Sequence, residues 1–300
     1  MTHVATLISA PSLAALDDGA AAAAQDSLPA TEAPRWLDRG IAADILFSPN
    51  GDNDNRATAE RIRARLGARP IDVVVQPLGR RRKRLLLADM DSTMIGQECI
   101  DELADFVGKK AHVAAITERA MRGEIEFAPA LIERVALLKG LPASVIDRVI
   151  AERIVLTPGA RTLVATMRAN GAHTCLVSGG FTLFTTKIAA MIGFDEARAN
   201  TLVVDAEGRL TGEVATPILG RDAKLATLVG LRHRLGLAKA DTLVTGDGAN
   251  DLAMIEDAGL GVAYHAKPAV AAAAAARIDH GDLTALLYAQ GYSRGEFVEP

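Results

Sequence analysis

Residues 85–93 read Leu-Leu-Leu-Ala-Asp-Met-Asp-Ser-Thr. The four apolar residues predict a strand that is buried on both faces, which is typical of a parallel sheet. Side chains alternate along a strand, so Asp89 and Asp91 are expected to point the same way beyond its carboxyl end. Open α/β sheets bind their ligands at that end. The alternative is a strand that simply closes in an Asx turn.

Two other predicted strands also end in polar residues. The strand at 173–177 stops at Ser178-Gly179-Gly180, and the strand at 242–245 stops at Gly246-Asp247-Gly248-Ala249-Asn250-Asp251. Lys224 lies near the start of a helix predicted at 223–235. Because the carboxyl ends of parallel strands share one edge of a sheet, these groups are expected to converge there with Asp89 and Asp91.

The residue types at this edge predict phosphoryl transfer. Carboxylate oxygens suit Mg²⁺, which binds one or two protein carboxylates together with substrate phosphate oxygens. Ser178, the amides of Gly179 and Gly180, and Lys224 would supply hydrogen-bond donors and a positive charge for a phosphoryl group. An aspartate nucleophile forms an aspartyl-phosphate in this chemistry. The alternative for Lys224 alone is an ordinary surface lysine.

Taken in order, these four segments resemble the haloacid dehalogenase superfamily of phosphatases, over roughly residues 85–295. Within that superfamily, the chain resembles the phosphoserine phosphatase family. The further matches are Glu98, Met121-Arg122-Gly123-Glu124-Ile125, Phe127 and Arg134. Met90 departs from the pattern, since many members carry an aromatic residue between the two aspartates, and we expect this to affect only packing.

The resemblance implies a Mg²⁺-dependent hydrolysis of O-phospho-L-serine to L-serine and phosphate, the last step of serine biosynthesis. It assigns the nucleophile to Asp89 and proton transfer to Asp91. It places Mg²⁺ on Asp89, the backbone carbonyl of Asp91 and Asp247, with Asp251 orienting the waters of the metal. The phosphate-binding residues it implies are Ser178, Gly179, Gly180, Lys224 and Asn250. Glu98 would meet the substrate ammonium, Arg134 would pair with its carboxylate, and Phe127 would help to close the site.

Each of the three residues that would select the substrate has a simpler alternative. Glu98 could be a solvated helix residue, Arg134 could pair with Glu133 or Asp147, and Phe127 could belong to the core. Two alternative functions also stay open. The same fold could act on another small phosphomonoester or transfer the phosphoryl group to an acceptor alcohol. The chain could also be a non-catalytic amino-acid sensor, although the intact set of Asp89, Asp91, Lys224 and Asp247 argues against this.

The pattern of predicted elements indicates an α/β fold with two domains. Residues 1–79 predict a small α+β domain that resembles the ACT fold in element order alone, and residues 80–300 predict a Rossmann-like parallel sheet with helices on both faces. A helical cap is expected as an insertion at about 98–157. The individual predictions are strands at 3–10, 42–47, 71–75 and 260–263, helices at 12–24, 57–66, 159–169 and 268–277, a turn at 50–53 and a hairpin at 202–210.

Composition restricts the partners and the compartment. A net charge of −4 gives no reason to expect nucleic acid, and the basic run Arg80–Arg84 is expected to be a solvated part of a linker. The absence of an apolar run of about 18 residues argues against a transmembrane helix. Two cysteines, far apart in the chain, predict a reducing compartment, so we expect a cytoplasmic protein. A homodimer formed through the N-terminal sheet is a further hypothesis.

Overall fold

The computed structural model describes residues 1–51, 54–121 and 124–300. Asp52 and Asn53 of the predicted turn lie outside the described residues, and so do Arg122 and Gly123 of the predicted cap motif. The described part of the chain contains a four-stranded antiparallel sheet and a six-stranded parallel sheet, which confirms the predicted fold class.

The N-terminal unit is an antiparallel sheet with strand order β2-β3-β1-β4. Its elements are β1 (His3–Ser9), α1 (Asp18–Gln25), β2 (Arg35–Asp38), β3 (Ala42–Phe47), α2 (Asn55–Leu66) and β4 (Ile71–Pro77). Helix α1 starts later than predicted because Asp17 caps it, accepting a hydrogen bond from the Ala20 amide at 2.6 Å. Both helices bury their apolar residues against one face of the sheet.

The parallel sheet has strand order β12-β11-β10-β5-β6-β7. Its strands are β5 (Leu85–Ala88), β6 (His173–Phe181), β7 (Glu196–Asn200), β10 (Thr242–Gly246), β11 (Leu260–Tyr264) and β12 (Ala276–Ile278). The helices around it are α7 (Ala160–Ala169), α8 (Thr182–Ile192), α9 (Arg221–Arg234), α10 (Leu252–Glu256), α11 (Pro268–Ala273) and α12 (Ala285–Ala289). All four residues of β5 are fully buried, because β5 lies between β6 and β10 and is covered on both faces. The apolar run at residues 85–88, from which the fold was predicted, therefore forms a central strand of the sheet.

Four helices inserted after β5 form a cap over its carboxyl end. They are α3 (Cys99–Phe106), α4 (Lys110–Met121), α5 (Phe127–Ala136) and α6 (Val145–Arg153). The two chain crossings between cap and sheet pair with each other: the Gly96 amide donates to the Val155 carbonyl at 3.0 Å, and the Thr157 amide donates to the Met94 carbonyl at 3.0 Å. The predicted hairpin forms from β8 (Leu202–Val204) and β9 (Leu210–Val214), and the loop between them contacts the cap.

Three strands, β2, β7 and β12, were not predicted from the sequence. Strands β2 and β7 are short sheet edges that contain charged residues, so neither shows an apolar run. The helix predicted at 268–277 is wrong at its carboxyl end, since α11 stops at Ala273. Ala276–Ile278 instead pairs in parallel with β11, and this pairing outweighs the high helix propensity of alanine.

The expectation of a solvated linker at Arg80–Arg84 is wrong for Arg81 and Lys83, while Arg80, Arg82 and Arg84 are exposed. The Arg81 side chain is 10% exposed and forms a salt bridge with Asp44 at 2.5 Å. The Lys83 ammonium is buried and donates to the carbonyls of Arg80 and Ala240, each at 2.9 Å. The run therefore connects the N-terminal sheet to the parallel sheet through specific contacts.

None of the helices in the described residues combines the length and the apolar character that crossing a membrane requires.

Candidate active site

Asp89 follows the last residue of β5 and is held by both backbone and side-chain contacts. Its amide donates to the Thr245 carbonyl at 3.0 Å, and one of its carboxylate oxygens accepts the Met90 amide at 2.8 Å. The same oxygen, Oδ1, lies 2.7 Å from the Lys224 ammonium. Burial raises the pKa of the Asp89 carboxyl, the charge of Asp251 adds to this effect, and Lys224 opposes it.

Lys224 is fully buried, which excludes the alternative of a surface lysine. From the first turn of α9 it reaches both Asp89 and Asp251, with each Nζ to Oδ1 distance at 2.7 Å. Burial by itself would lower the pKa of the lysine, but the two carboxylates outweigh burial and raise the pKa above its usual value. Lys224 is therefore a fixed cation behind the sheet edge.

The segment after β10 carries the other two acidic residues of the site. Asp251 accepts the Gly248 amide at 3.1 Å, and Asp247 accepts the Thr93 hydroxyl at 3.3 Å. A side chain at Gly246 would bring its Cβ within 2.5 Å of the Asp251 carboxylate, so this close approach requires glycine. Burial, with the charges of Asp251 and Glu98, raises the pKa of Asp247 to about 6.

The carboxylates of Asp89, Asp247 and Asp251 fit a divalent cation. Their ligand oxygens all lie within 4.8 Å of one another, and Asp89 and Asp251 are buried while Asp247 is nearly so. Three buried carboxylates around one lysine leave excess negative charge, which is unfavourable without a further cation. An all-oxygen donor set is the type that Mg²⁺ prefers.

Asp91 lies between the sheet edge and the cap. One of its carboxylate oxygens accepts the Cys99 amide at the start of α3 at 3.0 Å, and the other accepts the Ser178 hydroxyl at 3.3 Å. Burial and the charge of Glu98 raise the pKa of Asp91 to about 6, and the bond from Cys99 partly opposes this shift. A carboxyl with this pKa can exchange a proton near neutral pH.

The Ser178-Gly179-Gly180 segment continues β6 instead of ending it, so the predicted strand was too short. Ser178 is fully buried and accepts the Gly180 amide at 2.8 Å. Asn200 was missed as a supporting residue: its amide donates to the Gly179 carbonyl at 2.8 Å and to the Leu219 carbonyl at 3.1 Å. It lies at the end of β7, which was not predicted, so no sequence signal indicated its role.

A cavity of about 600 Å³ lies between the sheet edge and the cap. Lys224 and Asp251 lie outside its lining, while the other predicted site residues form part of its wall, namely Asp89, Asp91, Glu98, Phe127, Arg134, Ser178, Gly179, Gly180, Asp247 and Asn250. Thr117, Arg221 and Lys267 also line it, and the sequence analysis missed them because they belong to no recognised motif.

Phe127, at the first position of α5, covers the floor of this cavity. It is 37% exposed, so the alternative of a core residue is wrong. Its ring lies so close to Gly179 and Gly220 that a Cβ on either glycine would be 3.3 Å from a ring carbon. An exposed aromatic ring held over glycines is consistent with a lid.

Arg134 lies two turns after Phe127 on the same face of α5 and is half-buried. Its predicted alternative partners are engaged elsewhere, since Glu133 pairs with Arg119 at 3.0 Å and Asp147 pairs with Lys187. Arg134 itself donates to the Ala130 carbonyl at 3.2 Å and is 3.5 Å from the Thr117 hydroxyl.

Glu98 precedes α3 and is exposed at the cavity, close enough to interact with the charge of Arg134. Burial lowers the pKa of the Arg134 guanidinium, and Asp101 and Glu98 oppose this shift. Among the described residues, the cap side of the cavity therefore presents the negative charge of Glu98 and the positive charge of Arg134.

Comparisons with known proteins agree with this geometry. Residues 86–256 match the model of the haloacid dehalogenase-like hydrolase family. A phosphoserine phosphatase of Streptomyces coelicolor is 46% identical over 226 residues, which is 75% of this chain and 55% of the relative. The chain thus spans little more than half the length of that relative. A phosphoserine phosphatase of Polaromonas is 46% identical over 68% of this chain and 88% of the relative. The crystal structure of a probable phosphoserine phosphatase from Vibrio cholerae superposes with a TM-score of 0.77 at 30% identity, covering 98% of this chain and 88% of that one.

Proposed function

The chain belongs to the haloacid dehalogenase-like hydrolase family, and from this premise we propose that it hydrolyses O-phospho-L-serine to L-serine and phosphate. The observation that carries the proposal is the charge arrangement of the cavity. Its floor combines Asp89 with phosphate donors, while its cap side presents Glu98 and Arg134. A substrate with a phosphate at one end and an ammonium and a carboxylate at the other would match both sides.

In the first step, a carboxylate oxygen of Asp89 attacks the phosphorus, and the bond between phosphorus and the serine oxygen breaks. Asp91 donates its proton to that oxygen, for which its pKa of about 6 is well suited. Ser178 and the backbone amide of Gly179 would bind the phosphoryl oxygens. Serine leaves, and Asp89 carries the phosphoryl group.

In the second step, Asp91 takes a proton from water as that water attacks the phosphorus of the aspartyl-phosphate. The bond between phosphorus and the Asp89 oxygen breaks, phosphate leaves, and the Asp89 carboxylate is restored. Lys224 stays paired with Asp89 and Asp251 at 2.7 Å and would stabilise the negative charge beside it.

We assign the cation to Mg²⁺, which would be held by Asp89, Asp247 and the Asp91 carbonyl, with Asp251 orienting its waters. The support is the all-oxygen cluster of carboxylates within 4.8 Å. When bound, Mg²⁺ would supply positive charge against the phosphoryl oxygens.

The test is phosphate release from O-phospho-L-serine with and without Mg²⁺, beside a panel of other phosphomonoesters. Arg134→Ala is measured in parallel. We expect a Mg²⁺-dependent preference for phosphoserine, which the variant loses mainly through a higher KM. Equal or faster turnover of other esters would keep the phosphatase chemistry and reject this substrate. No turnover of any ester would favour the non-catalytic sensor.

The homodimer and the cytoplasmic location stay proposals as well. Part of the N-terminal sheet already packs against α12, since Ile8 and Val74 share a core with Tyr288. A dimer through this unit would therefore use the β2 edge or the outer helices, and light scattering on the purified chain would test it.

The free, buried thiols of Cys99 and Cys175 support a reducing compartment, which cell fractionation would test.

A further inference from the structure

Ser92 follows the two aspartates and has an unusual backbone conformation. Its φ is +55°, a value that residues other than glycine, asparagine and aspartate rarely adopt. Strained positions of this kind persist where the surrounding structure requires them and are common at functional sites. Ser92 has no role in the mechanism above.

The strained conformation directs three successive side chains to different partners. Asp91 points to Ser178 at 3.3 Å, and Thr93 donates to Asp247 at 3.3 Å. The Ser92 hydroxyl between them donates to Oε1 of Glu98 at 2.7 Å. This bond joins the loop that carries the nucleophile to the residue at the start of the cap.

The Ser92 hydroxyl holds the Glu98 carboxylate, which does not cap its own helix. Glu98 occupies the N-cap position of α3, yet its side chain makes no capping hydrogen bond. The Asp91 carboxylate instead accepts the Cys99 amide of that first turn at 3.0 Å. The backbone supports the Ser92 contact, because the Ser92 amide donates to the Gln97 carbonyl at 3.2 Å, which closes the loop in front of Glu98.

We propose that Ser92 is a positioning residue that holds Oε1 of Glu98, so that Oε2 meets the substrate ammonium inside the cavity. The proposal rests on the proposed function, since it assigns a selective contact for phosphoserine. Ser92 itself touches neither the phosphate nor the nucleophile. It acts through Glu98, and its effect is specific to substrates that carry an amine.

The test compares O-phospho-L-serine with 3-phosphonooxypropanoate, the analogue without the amine. In Ser92→Gly the hydroxyl is lost and the positive φ becomes favourable. We expect kcat/KM for phosphoserine to fall about tenfold, as for loss of a hydrogen bond to a charged group, mainly through KM. The value for the analogue should change less than about twofold, and the melting temperature should not fall.

A matched pair of variants separates the hydrogen bond from the backbone effect. Asparagine and aspartate have the same shape and both tolerate a positive φ. Ser92→Asn keeps a donor and should retain most of the preference for phosphoserine, while Ser92→Asp places a carboxylate beside Glu98 and should lose it. Ser144→Ala is the control. It removes an exposed serine hydroxyl at the N-cap of α6, where the side chain makes no capping hydrogen bond.

The outcomes distinguish the two proposals. If the wild-type protein hydrolyses both compounds equally well, or neither, the proposed function fails and the role of Ser92 fails with it. If the wild-type protein prefers phosphoserine, and the glycine and aspartate variants keep that preference, only the role of Ser92 is overturned.

Discussion

At the scale of single residues, Asp89 is the group on which the proposed chemistry depends. Replacing it with asparagine removes the attacking carboxylate but leaves Asp251 to pair with Lys224 at 2.7 Å. We therefore expect Asp89→Asn to lower phosphate release by at least about 10³-fold, with the far-UV spectrum and the melting temperature close to those of the wild type.

Phosphoenzyme trapping provides the control for this substitution. Wild-type protein quenched during turnover should carry a hydroxylamine-sensitive phosphoryl group, and the asparagine variant should carry none. Appreciable hydrolysis by a folded Asp89→Asn variant would assign the nucleophile to another group.

Lys83 gives a prediction about stability. Burial lowers the pKa of its ammonium to about 8 from an ordinary 10.5, with the charge of Asp241 opposing the shift. Between these two values the unfolded chain binds more protons than the folded one, so this residue makes the free energy of unfolding increase as the pH rises from about 8 to 10.5. The full effect is at most about 3.5 kcal/mol at roughly 1.4 kcal/mol per pKa unit.

The measurement is urea unfolding across this pH range for the wild type and Lys83→Met. Cysteine and tyrosine titrations affect both proteins equally, so the difference between the two curves isolates Lys83. That difference should change in favour of the wild type as the pH rises. A constant difference would show that the buried lysine keeps its ordinary pKa.

Individual residues also show how much of the site the sequence could predict. Asp89, Asp91 and Asp247 follow buried strands and Ser178 lies in the carboxyl-terminal part of β6, so a local pattern together with strand-end geometry placed them at one edge. The hydrogen bonds of Asn200 could not be predicted in this way, because they depend on β7 and on the distant Leu219 carbonyl. The boundary between residues 79 and 80 stays a prediction.

At the scale of elements, α5 places its first residue, Phe127, over the cavity as a lid. Phe127 is 37% exposed and its ring covers Gly179 and Gly220, so its removal opens the cavity without leaving a core void. We expect Phe127→Ala to lower kcat/KM by roughly tenfold to a hundredfold through water entry and looser positioning. The melting temperature should change little.

Ile132→Ala is the matched control, because Ile132 lies on the same helix with 50% exposure and does not line the cavity. Its activity on phosphoserine should equal that of the wild type. Equal losses in the two variants would mean that α5 acts through helix stability, and the lid interpretation would be wrong.

The strands that the sequence failed to predict were missed for two different physical reasons. Strand β12 pairs with β11 although the preceding alanines favour helix, so tertiary pairing decided the outcome. Strand β7 lies at the sheet edge and contains Glu196 and Arg198, which hides the usual apolar signal. Central strands such as β5 were predictable because burial on both faces requires a continuous apolar run.

At the scale of the whole molecule, Arg81 connects the N-terminal sheet to the rest of the chain. Its guanidinium contacts both Asp44 oxygens, at 2.5 and 2.6 Å, and the Thr6 hydroxyl at 2.6 Å. Its Nε donates to the Ala289 carbonyl at 2.8 Å, at the end of α12. One buried side chain thus bonds to three segments that are distant in sequence.

Removing Arg81 should therefore uncouple the two sheets. Arg81→Ala leaves the Asp44 carboxylate buried and without its cation, which costs about 3 kcal/mol or more. We expect the N-terminal unit to unfold at lower urea than the parallel sheet, so that a single transition becomes two. Arg82→Ala is the control, since Arg82 pairs with Glu296 at 46% and 42% exposure and should cost less than about 1 kcal/mol.

A double-mutant cycle then assigns the loss to this pair. Asp44→Asn should cost less in the Arg81→Ala background than in the wild type, because the charge it removes has already lost its partner. Additive effects would mean that Arg81 acts mainly through the Ala289 carbonyl, with docking held by α12 instead of by Asp44. In either case, the kcat and KM for phosphoserine are measured in these variants. They report whether the N-terminal unit affects the cavity. Unchanged kcat and KM in Arg81→Ala would limit that unit to a structural role.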